Sequence, residues 1–591
     1  MNIELGWKTA PYRDARYAPR ALDVQRRDDG SILLSNPRSF PMPFETLTAP
    51  LKHWAVAAPD RIWLAERSGD GWRKVTYAEG AQMVAALAGG LRQMGVVGER
   101  PLLILARNGV GHALITYAAM GQGMPIAPVS PQYGLPGAHL SRLNLVARTL
   151  NPVAVYTEDA ELFATGLGAE ALSGLPVIAA ANPRPGDVSL ESLLRASPVA
   201  ATARPADHAK YMLTSGSTGD PKAVITTHLA TCTNASQLTA CYDDPDPPVV
   251  VNGAPWSHAL GANSVLHLST HRGGTLYIDM GQPTAGRFGE TLRNLREISP
   301  TSQNMVPAGW MLFAEALETD DALARRFFER VRVLQYGGAI LDQVTNDRIQ
   351  AVAVRTVGER ITFYSGYGST ETGPTASNVH WHTDRMGMIG LPIPGTQVKL
   401  TPEDDKLEFR VKGPQVCLGY LGQPELSARA FDEEGFYRLG DAVRFVDPED
   451  PMQGLAFDGR LSENFKLASG IFVNVGGVRV AAISTVGGAV TDAVVCGEGR
   501  EAIGLLFYPN PTMSVQAVEM AVRTGIELYN AVTKGSSGRV SRAIVLPDAP
   551  DAASGEITDK GYISQATARR RRAEAIEMLF ADPAPASVLT F

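Results

Sequence analysis

Short apolar runs alternate with helix-like segments along the first two thirds of the chain. Residues 102–129 predict a strand, a helix and a second strand in that order, at Leu102–Ala106, about Gly109–Met120 and Pro125–Val129. Further apolar runs of strand length follow at Val153–Tyr156, Pro176–Ala179, Val249–Val251, Thr275–Ile278, Val331–Leu334 and Ile361–Tyr364. Because strands that alternate with helices form parallel sheets, this pattern predicts parallel α/β layers.

The pattern changes at about Gly395, where apolar and polar residues begin to alternate with tight turns between them. This alternation predicts a smaller antiparallel sheet or barrel. Beyond Arg460 the sequence predicts further strands and two helices, at about Thr512–Val532 and Ile563–Phe580. We therefore predict a mixed α/β fold with a large N-terminal domain at residues 1–460 and a small, mobile α+β domain at residues 461–591.

Composition narrows the class of protein. The 591 residues are 45% hydrophobic and 19% charged with a net charge of −7, so the chain lacks the positive field that binds nucleic acid or anionic membranes. The longest uncharged stretch, Val249–His271, contains Pro255 and Asn263 and does not predict a membrane span. The four cysteines show no paired spacing, and residues 1–16 do not resemble a secretory signal, which favours the cytoplasm.

The segment most informative about chemistry follows the apolar strand Tyr211–Leu213. Residues Thr214–Lys222 are rich in glycine and hydroxyl side chains and end in Pro-Lys. Gly216 and Gly219 allow backbone N–H groups to converge on an anion, and Lys222 adds a positive charge. The loop therefore predicts a polyphosphate site. It is not a Walker A loop, because that motif ends in Gly-Lys-Ser/Thr and the sequence contains no Gly-Lys dipeptide.

Further motifs follow this loop in a fixed order. They are APWSH (254–258), YGGA (336–339), GYGSTETG (366–373), KLEFRVKGPQVCLGY (406–420), YRLGDA (437–442) and GRLSENFKLASG (459–470). With TSGSTGDPK (214–222), this series resembles the adenylate-forming superfamily, which contains acyl-CoA synthetases, adenylation domains that load carrier proteins, and firefly-type luciferases. The resemblance implies a large ATP- and acid-binding domain followed by a small C-terminal lid.

The resemblance implies roles for individual residues. Phosphate contacts are expected from Thr214, Ser215, Gly216, Ser217, Thr218, Gly219, Lys222 and Thr370. The adenosine is expected to contact Gly338, Ala339, Tyr367, Gly368, Ser369, Asp441 and Arg460. Tyr367 would stack on adenine, and Asp441, assisted by Arg460, would accept both ribose hydroxyls. Glu371 would hold Mg²⁺.

The resemblance also implies a reaction in two steps. A carboxylate attacks the α-phosphorus of ATP, which releases pyrophosphate and forms an acyl-adenylate; the thiol of coenzyme A then displaces AMP. Because both reactants of the first step are anions, Mg²⁺ and positioned donors must offset their charge. The catalytic residues implied are Lys560, Thr370, Glu371 and His258.

The C-terminal segment departs from the superfamily pattern. The superfamily usually presents Gly-Lys here, with the lysine reaching the α-phosphate, whereas this chain has Glu556 after Gly555. A carboxylate cannot replace that lysine, because it would repel the phosphate by a few kcal/mol at about 4 Å. We hypothesise that Lys560, four positions further on, takes the role. The lid would swing about the segment after Arg460, with Ser462 as the pivot.

Segments outside these motifs resemble one group of enzymes within the superfamily. GEITDKGYISQ, GANSVLHLSTHRGGTLYIDMGQP and HWHTDRMGMIGLPIPGT resemble the feruloyl-CoA synthetases, which activate hydroxycinnamic acids. This implies ferulate, p-coumarate or caffeate as the acid. The pocket is expected to lie among Trp256, His258, Met305, Val306, Gly337, Gly338 and Tyr364, a mixture of aromatic and small residues that suits a planar ring.

Alternative functions follow from the same motifs. An adenylation protein could load the pantetheine of a carrier protein instead of free coenzyme A, and a luciferase-like oxygenase shares the superfamily. The departure at Glu556 is also compatible with a catalytically silent, adenylate-binding sensor. The basic run Arg569–Arg572 is interpreted as a solvated helix face, with coenzyme A phosphate binding as the alternative.

Overall fold

The computed structural model describes residues 3–215, 221–284, 286–461, 463, 465–533, 538–551, 556–557 and 563–591. Their contacts divide the chain into two units. The large unit comprises Met1–Leu400, Arg410–Leu439 and Phe445–Leu455, and the small unit comprises Thr401–Phe409, Gly440–Arg444 and Ala456–Phe591. The division of the chain at residues 460 and 461 stays a prediction.

The first sheet of the large unit is mostly parallel. Its strands, in spatial order, are Pro221–Thr227, His208–Ser215, Ile126–Pro128, Leu102–Leu105, Ala154–Asp159, Val177–Ala181 and Val188–Ser189. The helix Val110–Gly121 connects two neighbouring parallel strands and is buried at every residue except Gly111. The strand–helix–strand unit predicted for this segment is therefore confirmed.

Two other groups of strands complete the parallel layers. One sheet contains Val249–Asn252, Thr275–Ile278, Ile62–Ser68 and Gly71–Thr76 in that order. The second group contains Ser302–Met305, Val333–Tyr336, Thr362–Tyr367, Ser377–Val379 and Met388–Pro392 and belongs to the same sheet as the antiparallel strands described next. In this second group, the first three strands are parallel to one another, and each of the last two is antiparallel to the strand before it. Apolar side chains such as Trp310, Phe313 and Phe363 form its core.

Antiparallel strands are found after Gly395, where the sequence predicts them, and also between residues 23 and 35, where it predicts none. Asp23–Arg26, Ile32–Ser35 and Gln397–Glu403 form consecutive antiparallel pairs. Strands Lys406–Lys412, Tyr437–Phe445 and Leu455–Arg460 follow. The boundary between the two units falls within several of these strands.

The helices of the large unit begin at polar capping residues in several cases. Thr76 forms a capping box with Glu79 at the start of Tyr77–Gln93, and Asp342 caps Gln343–Val357. The other α-helices described are Ala49–Ala57, Val110–Gly121, Leu140–Leu150, Ala164–Leu167, Leu190–Leu193, His228–Thr239, Leu268–His271, Gly289–Glu297, Pro307–Thr319, Asp321–Phe328 and Pro424–Arg429. Leu260–His267 is a π-helix.

The small unit combines a mixed sheet with helices. Its sheet contains Val490–Cys496, Ile503–Pro509, Val540–Val545 and Leu589–Thr590, and a two-stranded ladder joins Phe465–Lys466 to Phe472–Val473. Its helices are Val475–Val486, Val515–Val532, Gln565–Arg571 and Ala573–Leu579. Phe507, Val522 and Ile526 are fully buried in its core. Within the described parts of both units, no helix combines the length and apolarity needed to cross a bilayer.

Candidate active site

The predicted phosphate loop joins two strands of the first sheet. His208–Ser215 and Pro221–Thr227 are antiparallel, and Thr214 lies opposite Lys222. Gly216, Ser217, Thr218 and Gly219 lie outside the described residues, and so does the side chain of Ser215. The hairpin therefore brings Thr214 and Lys222 together at the two ends of the predicted loop.

A tight turn carries Thr370 and Glu371. It follows the strand Thr362–Tyr367 and is fixed by hydrogen bonds, including one of 2.8 Å from the Ser369 N–H to the Thr372 hydroxyl. Gly368 has φ +154°, and a Cβ atom there would lie 2.2 Å from the Pro374 carbonyl oxygen. Only glycine fits at this position, so the predicted motif has a steric reason for its second glycine.

The Glu371 carboxylate is buried and held by a tyrosine. Glu371 is 7% exposed, and its Oε1 accepts a hydrogen bond of 3.1 Å from the Tyr420 hydroxyl. The backbone carbonyl of Glu371 also accepts a 2.8 Å hydrogen bond from the Cys417 N–H. These contacts fix both the backbone and the side chain of the predicted metal ligand.

Lys222 and Tyr437 complete this cluster around Tyr420. The Lys222 ammonium lies 5.3 Å from the centre of the Tyr420 ring, and the Tyr437 and Tyr420 hydroxyls are 3.1 Å apart. Burial, followed by the negative charge of Glu371, raises the pKa of Tyr420 well above its ordinary value. The Tyr420 hydroxyl therefore stays protonated at neutral pH and can donate to Glu371.

The sequence predicts no role for Tyr420 or Tyr437. Each lies at one end of a motif, Tyr420 ending 406–420 and Tyr437 beginning 437–442, and that position was the available signal. The sequence could not show that both hydroxyls meet near Glu371, because this contact depends on the tertiary fold.

The residues predicted to bind adenine follow neighbouring parallel strands. Tyr336 pairs with Ser365, so Gly338–Ala339 and Tyr367–Ser369 leave the same edge of the sheet. Ligands of open α/β sheets bind at the carboxyl ends of the strands. Gly338 has φ +84° and is exposed. The Ser369 hydroxyl is buried and has no hydrogen-bond partner among the described residues, which leaves it available to a ligand.

The predicted acid-binding residues are divided between two parts of the large unit. Met305 pairs with Tyr336, and the Cβ position of Gly337 lies 3.5 Å from Leu260. Val306 directly follows Met305 and precedes the helix Pro307–Thr319. These positions bring the predicted residues around Gly337 close to the helical segment that follows APWSH.

Trp256 and His258 lie on that segment. Trp256 is 2% exposed and packs edge-on against His112 at 5.0 Å, and its backbone N–H donates a 2.9 Å hydrogen bond to Oδ1 of Asn108. The His258 N–H donates to the Pro255 carbonyl oxygen at 3.0 Å. The turn therefore fixes the backbone at both predicted residues.

Tyr364 lies in a buried aromatic cluster. Its hydroxyl accepts a 2.6 Å hydrogen bond from the Asn378 amide, and its ring lies 5.8 Å from that of Tyr242. The side chain is thus already engaged within the protein, and its role as a substrate contact stays a prediction.

In the small unit, Asp441 and Arg460 lie close together, and their roles at the ribose stay a prediction. The Arg460 Nε and the Asp441 Oδ1 are 3.3 Å apart, and the Asp441 side chain is 10% exposed. The Leu461 N–H donates to the Gly440 carbonyl oxygen at 2.9 Å, which ties the backbone of the two strands beside this pair. The predicted pivot Ser462 lies outside the described residues.

Glu556 is buried and paired with an arginine of the same unit. Its side chain is 0% exposed and forms a bidentate ion pair with Arg572, with N–O distances of 2.8 and 2.9 Å. It also accepts a 2.8 Å hydrogen bond from the Asp551 N–H. Burial alone would raise the pKa of Glu556, but the Arg572 and Asp551 hydrogen bonds outweigh it and lower the pKa. Lys560 lies outside the described residues, although Ile557 and Ile563 on either side form an antiparallel bridge.

The interpretation of Arg569–Arg572 as a solvated face is wrong for two of its members. Arg572 binds Glu556 and is 13% exposed, and Arg569 donates to the carbonyl oxygens of Glu463 and Val495. Arg570 is exposed and contacts Thr567, as a solvated face requires. The sequence could not predict these contacts, because it does not show which arginines of the run face buried groups.

Among the described residues, no group of three or more His, Cys, Asp or Glu side chains is arranged to hold a metal ion. Mg²⁺ at a phosphate site needs only one or two protein carboxylates, because substrate phosphates and water supply its other ligands. Glu371 fits that arrangement.

Comparison with known proteins places these features in a class. Residues 51–421 match the AMP-binding enzyme family, and residues 480–584 match the AMP-binding enzyme C-terminal domain. The A domain of the carboxylic acid reductase of Segniliparus rugosus, in complex with AMP and a co-purified carboxylic acid, is 19% identical, with a TM-score of 0.73 over 91% of this chain and 94% of that one. ATP-bound MatB of Rhodopseudomonas palustris is 18% identical, with a TM-score of 0.71 over 90% and 99%.

The matches to curated relatives cover a smaller part of this chain than the matches to solved structures do. The 4-coumarate–CoA ligase 3 of Oryza sativa subsp. japonica is 26% identical over 64% of this chain and 68% of the relative. A feruloyl-CoA synthase of Amycolatopsis sp is 28% identical over 63% and 72%. A long-chain-fatty-acid–CoA ligase of Escherichia coli O6:H1 is 29% identical over 40% and 44%.

The fold and the motif-bearing loops define an adenylate-forming enzyme. Specifically, this chain belongs to the AMP-binding enzyme family, because that family matches more than half of its length. The predicted mixed α/β fold and superfamily membership are therefore confirmed. The matches support the AMP-forming acid:CoA ligases as its broader class, while the relatives' names include different acids.

We predict that Tyr420→Phe weakens the affinity for ATP, measured by calorimetry with Mg²⁺ present, by about tenfold. The reason is that a hydrogen bond to a charged group contributes about 1.5 kcal/mol. Tyr437→Phe is the matched control, since it leaves the Tyr420–Glu371 hydrogen bond in place, and it should change the affinity less than about twofold. Equal losses in both variants would contradict the assignment.

We predict that Arg572→Met lowers the free energy of unfolding of the small unit by about 3 kcal/mol, because it removes two hydrogen bonds from a buried carboxylate and leaves Arg571, 3.7 Å away, as its ion-pair partner. Hydrogen exchange in the full chain measures this loss. The exposed Arg570→Met is the control, and its effect should be within about 0.5 kcal/mol.

The pH dependence of the same pair gives a further test. Because the folded-state pKa of Glu556 is lowered, its contribution to stability is present above the ordinary Glu pKa and lost as pH falls through the folded-state value. Glu556→Gln should therefore be less stable than the wild type at neutral pH. The difference should shrink below about pH 4, the ordinary range for Glu. A difference that is constant between pH 7 and strong acid would refute this account.

Proposed function

We propose that this protein is an AMP-forming carboxylic acid:CoA ligase that activates hydroxycinnamic acids of the ferulate type. The observation that carries the proposal is the cluster in which Tyr420 holds the Glu371 carboxylate while Lys222 lies beside the same ring. The proposal is supported by the position of this carboxylate and this cation within residues 51–421, the range that matches the family. Such a pair suits a metal-bound polyphosphate.

The nucleotide would be bound by groups that the structure leaves available. The buried Ser369 hydroxyl would donate to the nucleotide, and Thr214, Lys222 and Thr370 would contact the phosphates. Glu371 would hold Mg²⁺, which would offset negative charge on the phosphates when bound. Asp441, oriented by Arg460, would accept the ribose hydroxyls.

The acid is proposed from two independent features. The predicted pocket residues include the buried Trp256 and Met305 together with Gly337, and aromatic walls beside small residues suit a flat ring. Relatives named for 4-coumarate and for ferulate span most of their own lengths in the match, whereas the relative named for long-chain fatty acids matches over less than half of its length. Both features favour a planar aromatic acid.

The chemistry would then require little covalent participation by the protein. Lys222 and Thr370 would orient the phosphates, and His258 would lie beside the reacting carboxylate. We propose that Lys560 approaches the α-phosphate during adenylation, because Glu556 is committed to Arg572 and cannot do so. Movement of the small unit about Ser462 would let a second set of groups serve thioester formation.

A panel of acids tests the substrate assignment. With Mg-ATP and coenzyme A, ferulate, p-coumarate and caffeate should each give AMP release with kcat/KM at least about tenfold above hexanoate and palmitate, since pocket shape discriminates by about 1–3 kcal/mol. Glu371→Ala and Asp441→Ala should lose AMP release. A preference for the aliphatic acids would reject the hydroxycinnamate assignment.

The same assay distinguishes the alternative functions. Acid-dependent pyrophosphate exchange without AMP release to free coenzyme A would indicate an enzyme that loads a carrier protein. ATP binding without any exchange would indicate a sensor.

The role of Lys560 is tested by separating the two half-reactions. Lys560→Ala should reduce acyl-adenylate formation by about 100-fold or more, because a group that acts in one transition state affects that step. Thioester formation from supplied acyl-adenylate should change by less than about threefold. Lys466→Ala, an exposed lysine of the same unit, is a control for general loss of charge. Equal losses in both half-reactions would remove Lys560 from the adenylation step.

A further inference from the structure

A lysine is buried in the strand that leads into the predicted phosphate loop. Lys210 lies four residues before Thr214 and is 0% exposed, between the parallel strand at Ile126 and the antiparallel strand at Thr226. Burying an amine without a partner is costly, so a buried lysine requires a hydrogen-bond acceptor. No carboxylate forms an ion pair with Lys210 in the part of the chain that the structure describes.

The partner of Lys210 is an amide. Its Nζ donates to Oδ1 of Asn263, on the π-helix Leu260–His267, and Asn263 is 6% exposed. The Asn263 Nδ2 in turn donates to the Gly373 carbonyl oxygen at 2.9 Å. Because the charged Lys210 ammonium can only donate, it requires the amide oxygen of Asn263 to face it, and the amide nitrogen then faces Gly373.

Gly373 ends the turn that carries Thr370 and Glu371. It has φ +102°, and a Cβ atom there would lie 3.0 Å from the Asn234 side chain, so this close approach requires glycine. Asn234, on the helix His228–Thr239, also donates to the Thr375 carbonyl oxygen at 2.8 Å. The end of the turn is therefore held by amides from two helices.

We propose that Lys210 is a positioning residue that, through Asn263 and Gly373, fixes the Thr370–Glu371 turn relative to the phosphate-loop strand. The proposal rests on the proposed function, since it assigns Glu371 to the adenylation step. In this relay, which comprises Lys210, Asn263 and Gly373, the lysine sets the amide orientation and the amide holds the turn. Three segments that are distant in sequence are joined by two hydrogen bonds.

The surroundings of Lys210 leave its charge unmatched. Burial lowers the pKa of Lys210 to about 7. His228 and Cys232, from the helix His228–Thr239, and His267, from the π-helix, face the same region. Burial lowers the pKa of both histidines, that of His228 to about 4, and raises the pKa of the Cys232 thiol to about 12, so these groups are neutral near pH 7. Both the charged and the neutral amine can donate to Asn263, so the relay is retained in either form.

Two variants break the relay at different links. Lys210→Met keeps a long side chain but removes the donor to Asn263. Asn263→Asp keeps the size and the acceptor for Lys210 but presents an oxygen to the Gly373 carbonyl. In each, acyl-adenylate formation should slow about tenfold and require more Mg²⁺, because one hydrogen bond that holds the turn is lost. Thioester formation from supplied acyl-adenylate should change by less than about threefold. Their combined effect should be smaller than the sum of the single effects.

A control separates positioning from general destabilisation. Lys399 is also buried, with its side chain 7% exposed, but it pairs with Asp432 and Glu434. Lys399→Met should lower stability while leaving the ratio of the two half-reaction rates unchanged. Equal slowing of both half-reactions in the Lys210 and Asn263 variants, or no slowing, would overturn the proposal.

The failure of the relay and the failure of the proposed function give different results. If the wild type forms no acyl-adenylate with any acid in the panel, the proposed function is rejected. The relay is then decided by calorimetry with Mg-ATP, in which both variants should bind about tenfold more weakly than the wild type. Unchanged affinity would reject the relay on its own.

Discussion

The hydrogen bond from Tyr420 to the Glu371 carboxylate is the interaction around which the candidate site is organised. Tyr420 lies 49 residues from Glu371, and the ring that makes this bond also contacts the Lys222 ammonium. An acidic side chain that is 7% exposed is stable only when donors surround it. The Tyr420 hydroxyl donates to the carboxylate and the Cys417 N–H donates to the backbone carbonyl of Glu371, so the position of Glu371 depends on the loop that contains both residues.

Buried charge is handled in different ways in the two units. In the small unit, Glu556 and Arg572 neutralise each other with two-point geometry, which is the form in which buried ion pairs are tolerated. In the large unit, Lys210 faces an amide instead of a carboxylate. A carboxylate there would neutralise the amine but could not donate to the Gly373 carbonyl. The amide supplies an acceptor and a donor on one side chain, and this dual capacity lets one group connect a strand to a turn.

The sequence was informative where a structural feature depends on local pattern. The strand–helix–strand unit at 102–129 follows from the spacing of apolar residues, and Gly368 follows from a turn that has no room for Cβ. The ion pair between Arg572 and Glu556 could not be predicted, because it depends on the tertiary fold and nothing in the Arg569–Arg572 run distinguishes its members. The roles of Tyr420 and Asn263 could not be predicted for the same reason, since their partners are distant in sequence.

The burial of Glu556 changes how the departure from the superfamily pattern is understood. Read as sequence, a glutamate at the position of a catalytic lysine suggests a reversal of charge beside the phosphate and hence a silent enzyme. In the folded chain both of its oxygens are occupied by Arg572, and one accepts a backbone N–H as well. A carboxylate committed in this way presents no free charge to a ligand. Under the proposed function, a glutamate at this position would therefore add no repulsion, and adenylation would depend on another cation, the role proposed for Lys560.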